Sequence, residues 1–373
     1  MTTLAVTAPR IRAELIDDRE SWSHLESEWD DLLQNSSFPS IFLSYDYLSR
    51  AWAHFHRRDS QLFLLTLRDT TGTLVGIAPF RRSTWPICRI PFRFVDYAAT
   101  WEMDKPYILA LPELEAECWR VVAEFFHSNP DQWDILRLPE MPTDRMGLGC
   151  LQRLFGDSRY NIEVSEGPSG VYIDLTGTPE AFVRKHKNFR AKLRKLRRLP
   201  QGHRLDVYDD LGSIETGFRR YVEIEQLSWK KGRVGVSKNV SHLAFYADVI
   251  KALAAQGRTA IWILSTGDTP ISGLVTYSFG DTVYYHHEAY NPEFSSLSPG
   301  LLVIGLGIEG LLDSGFRRVD SLCGFADYLL PWASEDVRTS NITIHRKSFR
   351  MSLILWARKI KRLLRDSPPS RSP

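Results

Sequence analysis

Three strand-like runs follow one another almost without interruption: Thr259 to Leu264, Ile271 to Phe279 and Thr282 to Ala289, with turns at Gly267-Asp268 and Gly280-Asp281 between them. Runs rich in β-branched and aromatic residues, joined by glycine-bearing turns, predict an antiparallel meander. The pattern then changes period. Ser298-Pro299-Gly300 precedes the apolar stretch Leu301 to Leu312, Gly315 ends it, and Arg317 to Leu322 reads as strand again. This predicts a helix that starts at a proline and crosses back over the sheet. Ahead of the meander, Ile214 to Lys230 and His242 to Gln256 carry apolar residues at helical spacing: Tyr221, Ile224 and Leu227 in one, Phe245, Val249 and Leu253 in the other. Helix, helix, three antiparallel strands, helix, strand is the order of a mixed α/β unit whose sheet is mainly antiparallel and flanked by helices.

The first half repeats this order more loosely. A helix is expected over Ser21 to Leu33, where Trp22, Leu25, Trp29 and Leu32 share a face, and a short one over Tyr45 to Phe55. Gln61 to Arg68 and Thr73 to Phe80 form a hairpin around Gly72, an irregular stretch covers Arg81 to Arg93, Leu114 to Phe126 is helical, and Trp133 to Leu138 is a strand ending near Pro139. After a strand at Val171 to Leu175, Thr178-Pro179-Glu180 opens a helix that runs to about Leu199 and stops at Pro200. A length of 373 residues suits two domains. The recurrence of element order places their boundary near Pro168, giving residues 1–167 and 168–373.

Charge and cysteines exclude several functions. The 47 Lys and Arg against 45 Asp and Glu leave a net charge of +2, so no global field points to nucleic acid. The four cysteines, Cys88, Cys118, Cys150 and Cys323, form neither a CxxC metal pattern nor a disulfide framework, which fits a reducing cytosol. No apolar run reaches the ~18 residues of a spanning helix, and Met1 to Glu20 has no signal-peptide core, so a cytoplasmic location is expected. No P-loop, GxGxxG after a strand, HExxH or GxSxG is present, so ATP, nicotinamide, zinc or any other metal has no support in the motifs.

Chemistry concentrates between Tyr285 and Leu301. Tyr285, His286, His287, Glu288, Tyr290 and Asn291 lead from a strand into the loop before Ser298-Pro299-Gly300. A helix N-terminus at that point offers free N–H groups and partial positive charge to a phosphate, or it is simply a capped helix end. The segment as a whole resembles a known family. Ile271-Ser272-Gly273-Leu274, Tyr284-Tyr285, Ala289-Tyr290, Ser298-Pro299-Gly300, Gly315, Asp320, Gly324 and Tyr328 look like the acetyltransferase-type domain of cellulose- and exopolysaccharide-associated proteins. That family belongs to the GNAT superfamily and is related to the Fem-type peptidoglycan transferases. The likeness extends more loosely to Trp22, Trp29, Phe42, Trp52, Gly76-Ile77-Ala78-Pro79-Phe80 and Ser228-Trp229-Lys230.

The resemblance implies tandem GNAT-like domains and an acyl-CoA-dependent N- or O-acyltransferase, with acetyl-CoA or a longer acyl-CoA as co-substrate and no metal. Ser298, Pro299, Gly300 and Leu301 would hold the donor beside a strand whose neighbour diverges; the family's usual Arg or Gln with spaced glycines is absent there. Glu288 would deprotonate the acceptor, with His287 or His286 as rivals, and alternation on a strand would let only one of His287 and Glu288 line a cleft. Tyr328 would protonate the leaving thiolate or serve as an aromatic rim residue, and Leu329 stands where the family has Lys. Trp229, Lys230 and Asp320 would shape the acceptor site, the acceptor being a small molecule or a glycan or peptide group such as an exopolysaccharide precursor.

Two basic segments add partners to consider. Nine Lys and Arg lie between Arg184 and Arg198, with Phe182, Phe189, Leu193 and Leu196 as an apolar stripe, so the helix can dock on a core and face an anion. The tail from Arg346 to Arg365 sets Leu353, Trp356, Ile360 and Leu363 among basic residues and can either lie on an anionic leaflet or pack on the protein. Two other functions follow from the same features. One is a Fem-like transferase using aminoacyl-tRNA; the other is a non-catalytic scaffold of a surface-polysaccharide assembly.

Overall fold

The computed structural model describes residues 11–99, 102–324 and 327–348, with the main chain alone for 327 and 328. The described residues form two mixed sheets flanked by helices. In the first, β1 (Arg12–Ile16), β2 (Ser60–Arg68), β3 (Leu74–Ile87) and β4 (Ile90–Tyr97) are successive antiparallel neighbours. The short β5 (Leu109–Ala110) pairs with β3, β6 (Ile135–Pro142) runs parallel to β4, and β7 (Tyr160–Glu166) is the far edge. Helices α1 (Arg19–Ser23), α2 (Glu26–Gln34), α3 (Tyr45–Phe55), α4 (Glu115–Ser128) and α5 (Met146–Leu154) accompany it.

The second sheet has β8 (Gly170–Asp174), β9 (Arg204–Tyr208), β10 (Thr259–Thr266), β11 (Thr269–Phe279), β12 (Thr282–Tyr290), β13 (Arg318–Asp320) and β14 (Glu335–Val337), in the order β14-β8-β13-β12-β11-β10-β9. Its helices are α6 (Pro179–Lys185), α7 (Lys187–Arg197), α8 (Ile214–Leu227), α9 (Val240–Ala254) and α10 (Pro299–Leu311). Each sheet repeats one device. A three-strand meander is followed by a crossover helix, α4 or α10, and then by a strand parallel to the meander's last strand over three residues: Phe94↔Ile135 to Asp96↔Arg137, and Thr282↔Arg318 to Tyr284↔Asp320.

The structure departs from the sequence reading in four places. The stretch expected to be irregular, Arg81 to Arg93, is instead the end of β3 and the start of β4, because Cys88 (φ 51°) and Arg89 (φ 68°) make the tight hairpin turn between them. That turn needs two positive φ angles and usually announces itself with Asn-Gly, which is missing here. The helix expected over Ser21 to Leu33 is interrupted at His24-Leu25. The one expected from Pro179 to Leu199 is broken at His186 (φ −97°, ψ 83°), whose buried ring sits between Phe182 and Trp332 at centroid distances of 4.6 and 5.6 Å.

The fourth departure is a strand, β15 (Thr339–Arg346), which the sequence pattern assigns with everything after residue 168 to the second half. It is inserted between β6 and β7 of the first sheet. Ile342 and Ile344 are buried there, covering an edge of β6 that would otherwise expose unpaired main-chain groups. Beyond residue 348 the basic tail lies outside the described residues. Among the described residues no helix is long and apolar enough to cross a membrane.

The two halves share a core. α3 packs on α9, and Phe42 and Tyr47 from the first half meet Phe245, Tyr277 and Tyr284 from the second, edge to face at 5.5–6.3 Å between centroids. Such pairs contribute about 0.5–1.5 kcal/mol each beyond their buried area. The halves are thereby held in one geometry around the space between them.

Candidate active site at the open edge of the second sheet

β12 keeps its partner β11 along its whole length, from Thr282↔Phe279 to Tyr290↔Ser272, but loses its other neighbour after Tyr284, because β13 ends at Asp320. The chain then bends away through Leu322 (φ 62°) and Gly324 (φ 76°). From Tyr285 to Tyr290 one edge of β12 has no strand beside it among the described residues, and a cleft of about 950 Å³ opens there. On one side it is bounded by the first turn of α10, Ser298, Pro299, Gly300 and Leu301. The turn after β13, from Ser321 to Gly324, forms another wall.

A bulge shapes the catalytic-type side chains. The register slips between Val275 and Thr276, which face His287 and Tyr285, so His286 is the extra residue. A bulge suspends the strict alternation of a strand. His286 and His287 consequently share the face covered by α9, with their rings 5.7 and 4.8 Å from that of Tyr246. Glu288 lies on the opposite face, where a β-carbon on Gly300 would come 2.3 Å from its Oε1. The sequence reading allowed only one of His287 and Glu288 in the cleft. Both line it, because a cleft at a free strand edge is reached from both faces.

Burial sets the protonation of these groups. It raises the pKa of the Glu288 carboxyl, with the ammonium of Lys230 pulling the other way, and Glu288 Oε1 is shut off from water without a hydrogen bond. His286 is pushed down to about 3 and His287 well below its usual value, both chiefly by burial, so both are neutral near pH 7. The buried His286 Nδ1 and His287 Nε2 likewise have no partner among the described residues. Lys230 donates its ammonium to the main-chain carbonyl of Glu288 and, with Trp229, borders the cleft. The hydroxyl of Ser272 donates to the Pro299 carbonyl at 2.9 Å and ties α10 to the sheet. Ser298 (φ 59°) does not cap α10 with its side chain; the turn starts from Pro299.

Asp320, expected at the acceptor site, is not in the cleft wall. It is 2 % exposed, accepts from Leu322 N–H at 2.9 Å and is 3.0 Å from the ammonium of Lys105, which also pairs with Asp104. Burial opposes the charge on Lys105, but the two carboxylates outweigh it and hold its pKa well above the usual value. This buried trio joins the first half to the end of β13. The side chain of Tyr328 lies outside the described residues.

The first half supplies cleft residues that the sequence reading missed: Glu102, Met103, Asp104 and Glu140. The signal for the first three was the charged run Glu102-Met103-Asp104-Lys105 between Ala98-Ala99 and the apolar Tyr107 to Ala110, although nothing local says which cleft it faces. Glu102 accepts from Tyr246 Oη at 2.6 Å and lies 3.0 Å from His242 Nε2. Asp104 accepts from the N–H of Cys323 at 2.7 Å. At the corresponding helix start in the first half, Tyr107 Oη donates to Glu115 at 2.5 Å and accepts from Trp119 Nε1 and Gly147 N–H at 3.2 and 2.8 Å.

Helix α7 flanks the other end. Among the described residues none of the nine cations from Arg184 to Arg198 forms an ion pair, while Phe189, Leu193 and Leu196 are buried beneath them. Lys195 reaches the Ser296 carbonyl at 3.1 Å, and Asn188 lines the cleft.

The half that contains this open edge can be compared with known proteins. Residues 183–328 match the model of the acetyltransferase (GNAT) domain family. The matched segment runs from α6 to the turn after β13 and contains β12 and α10, whereas Glu102, Asp104 and Glu140 lie outside it. No curated protein sequence gives a significant match. Among solved structures, FemX shares the fold at a TM-score of 0.60 and 8% identity, over 92% of this chain and 99% of its own. A conserved protein of unknown function from Bacteroides thetaiotaomicron does so at 0.56 and 10%, over 89% and 99%. A tandem GNAT protein from the clavulanic acid biosynthesis pathway aligns over 91% and 99% at 12% identity, with a TM-score of 0.49. The stretch similar to the GNAT family model thus lies in the half that holds the open edge.

Proposed function

We propose that the protein is an acyl-CoA-dependent N- or O-acyltransferase of the GNAT type. The observation that carries this reading is the unpartnered edge of β12 running into the first turn of α10. Free main-chain groups on that edge suit the amides of a pantetheine arm, and the positive end of a 13-residue helix suits a pyrophosphate. Gly300 leaves room where a side chain would intrude, and the unpaired cations of α7 stand close by for further phosphates. Ser298, Pro299, Gly300 and Leu301 would hold the donor. Trp229 and Lys230, together with Glu102, Asp104 and Glu140, would surround the acceptor, and Asp320 would act through Lys105 as a positioning residue. In this reading residues 168–337 form the donor-binding domain, and residues 1–167 with β15 form the acceptor side.

When bound, the thioester supplies an activated acyl carbon. Glu288 removes the proton from the attacking amine or hydroxyl, directly or through water, which its raised pKa suits, and His287 is the rival base. Main-chain N–H groups at the open edge polarise the carbonyl. A nitrogen–carbon or oxygen–carbon bond forms as the carbon–sulfur bond breaks, and the sulfur leaves as thiolate to be protonated, with Tyr328 as the candidate acid. Calorimetry with acetyl-CoA and longer acyl-CoAs, followed by thiol-release assays, tests the proposal. Binding of at least one thioester is expected, and no heat and no thermal shift with any of them overturns it.

A further inference from the structure

The cleft is electrically lopsided. Four carboxylates line it, Glu102, Asp104, Glu140 and Glu288, against the single ammonium of Lys230, which is engaged with the Glu288 carbonyl. Lys105 behind the wall pairs with both Asp104 and Asp320, so one ammonium faces two carboxylates there and leaves one negative charge over. Glu140 has no hydrogen bond or ion pair for its carboxylate among the described residues; its main-chain N–H donates to Asn341 Oδ1 at 3.1 Å, so β15 holds it in place. Burial raises the pKa of the part-buried Glu102, Glu140 and Glu288 alike.

A second observation is independent of the acidic wall. In the same cleft Glu288 Oε1, His286 Nδ1 and His287 Nε2 are buried polar atoms without a partner among the described residues, a cost normally tolerated where a ligand completes the bonding. The donor's phosphates belong at the opposite, basic end beside α7, so the acidic end is left for the acceptor. Metal ligation suits it less well. The acids Asp104 and Glu140 do come within 4.8 Å of Cys323 Sγ, but Asp104 is already engaged by the Lys105 ammonium and the Cys323 N–H.

Resting on the acyltransferase reading, we infer that the acceptor carries two cationic centres, one a primary amine presented to Glu288 and the other an ammonium or guanidinium docked on Glu140 and Asp104. The wall then discriminates by charge rather than by shape. An acceptor with a neutral or anionic far end leaves Glu140 unpaired or repelled.

Four probes of equal chain length decide this: 1,5-diaminopentane, pentylamine, 5-amino-1-pentanol and 5-aminopentanoate, measured for binding to the full chain by calorimetry and for acylation with acetyl-CoA. The diamine is expected to bind and react roughly tenfold better than either monocation, with 5-aminopentanoate the poorest. Glu140→Gln should erase that preference through the acceptor KM while leaving acetyl-CoA binding unchanged, and a thermal melt confirms its fold. Equal treatment of the four probes by the wild-type protein overturns the inference, as does a preference that survives Glu140→Gln. Because diamine binding needs no donor, failure of acetyl-CoA to bind would sink the acyltransferase reading and still leave this one decided by the binding series.

Discussion

The carboxylate of Glu288 rests on the α-carbon of Gly300, so closely that an added β-carbon would lie 2.3 Å from Oε1. One contact therefore joins the candidate base on β12 to the first turn of the helix that would take the donor's phosphates. The consequence is a separable effect on function and fold. Gly300→Ala gains about 1 kcal/mol of helix propensity, and only the end of a flexible side chain has to move. The variant should melt at or above the wild-type temperature and yet lose most of its turnover, with the acyl-CoA KM raised. Unchanged kinetics in a folded Gly300→Ala protein would contradict the placement of Glu288.

Glu288 also predicts a pH dependence. Its carboxyl faces the N-terminal turn of α10, with Lys230 from the segment after α8 as the opposing charge, and burial wins, so its folded pKa lies above the unfolded value of about 4.3. Between those two values the folded state holds one more proton than the unfolded state, and stability falls as pH rises through that window. Glu288→Gln removes this loss. Its melting temperature should exceed that of the wild type at neutral pH, with the gap closing below the ordinary carboxylate range.

Activity should respond in the opposite sense. A base works only when deprotonated, so kcat/KM should show an acid limb above the ordinary carboxylate range, and Glu288→Gln should lose roughly a hundred- to ten-thousand-fold in rate. An acid limb that persists in Glu288→Gln at nearly full rate would transfer the role to His287.

Lys105 offers a test of how the halves are held together. Its ammonium, buried between Asp104 and Asp320, is among the described residues the one cation paired with those two acids, and Lys105→Met should cost about 3–5 kcal/mol in urea unfolding. Adding Asp320→Asn to that variant should recover part of the loss. A single variant as stable as the wild type would show that the trio does not secure the interface.

The basic helix should act on the donor alone. Replacing Lys192 and Lys195 with Ala, near the Ser296 carbonyl at the mouth of the cleft, should raise the acyl-CoA KM roughly tenfold at low salt and less at high salt. The acceptor KM should not change. An effect on the acceptor KM alone, or on neither, would move the phosphates away from α7.

Much of this was legible before any fold was known. The meander Thr259 to Ala289, the helix beginning at Pro299 and the strand after Gly315 follow from alternation, glycine turns and a proline at a helix start, which are local properties of the chain. The same local logic brought Glu288, His287 and Ser298 to Leu301 into one neighbourhood. Where it failed, a local signal was absent or overridden: Cys88-Arg89 turns without a glycine, and the buried ring of His186 breaks a helix whose pattern is continuous.

Sequence alone determined which elements form and in what order, since each depends on dihedral preferences and burial within a few residues. Only the tertiary structure decided which edges stay open and what faces them. β13 stops pairing at Asp320, the bulge at His286 turns both histidines to one side, β15 crosses back to brace Glu140, and Glu102 and Asp104 arrive from nearly two hundred residues upstream of Glu288. Strand partnership and a shared cleft are settled by long-range competition for hydrogen bonds and buried area, and no window of neighbouring residues records the outcome.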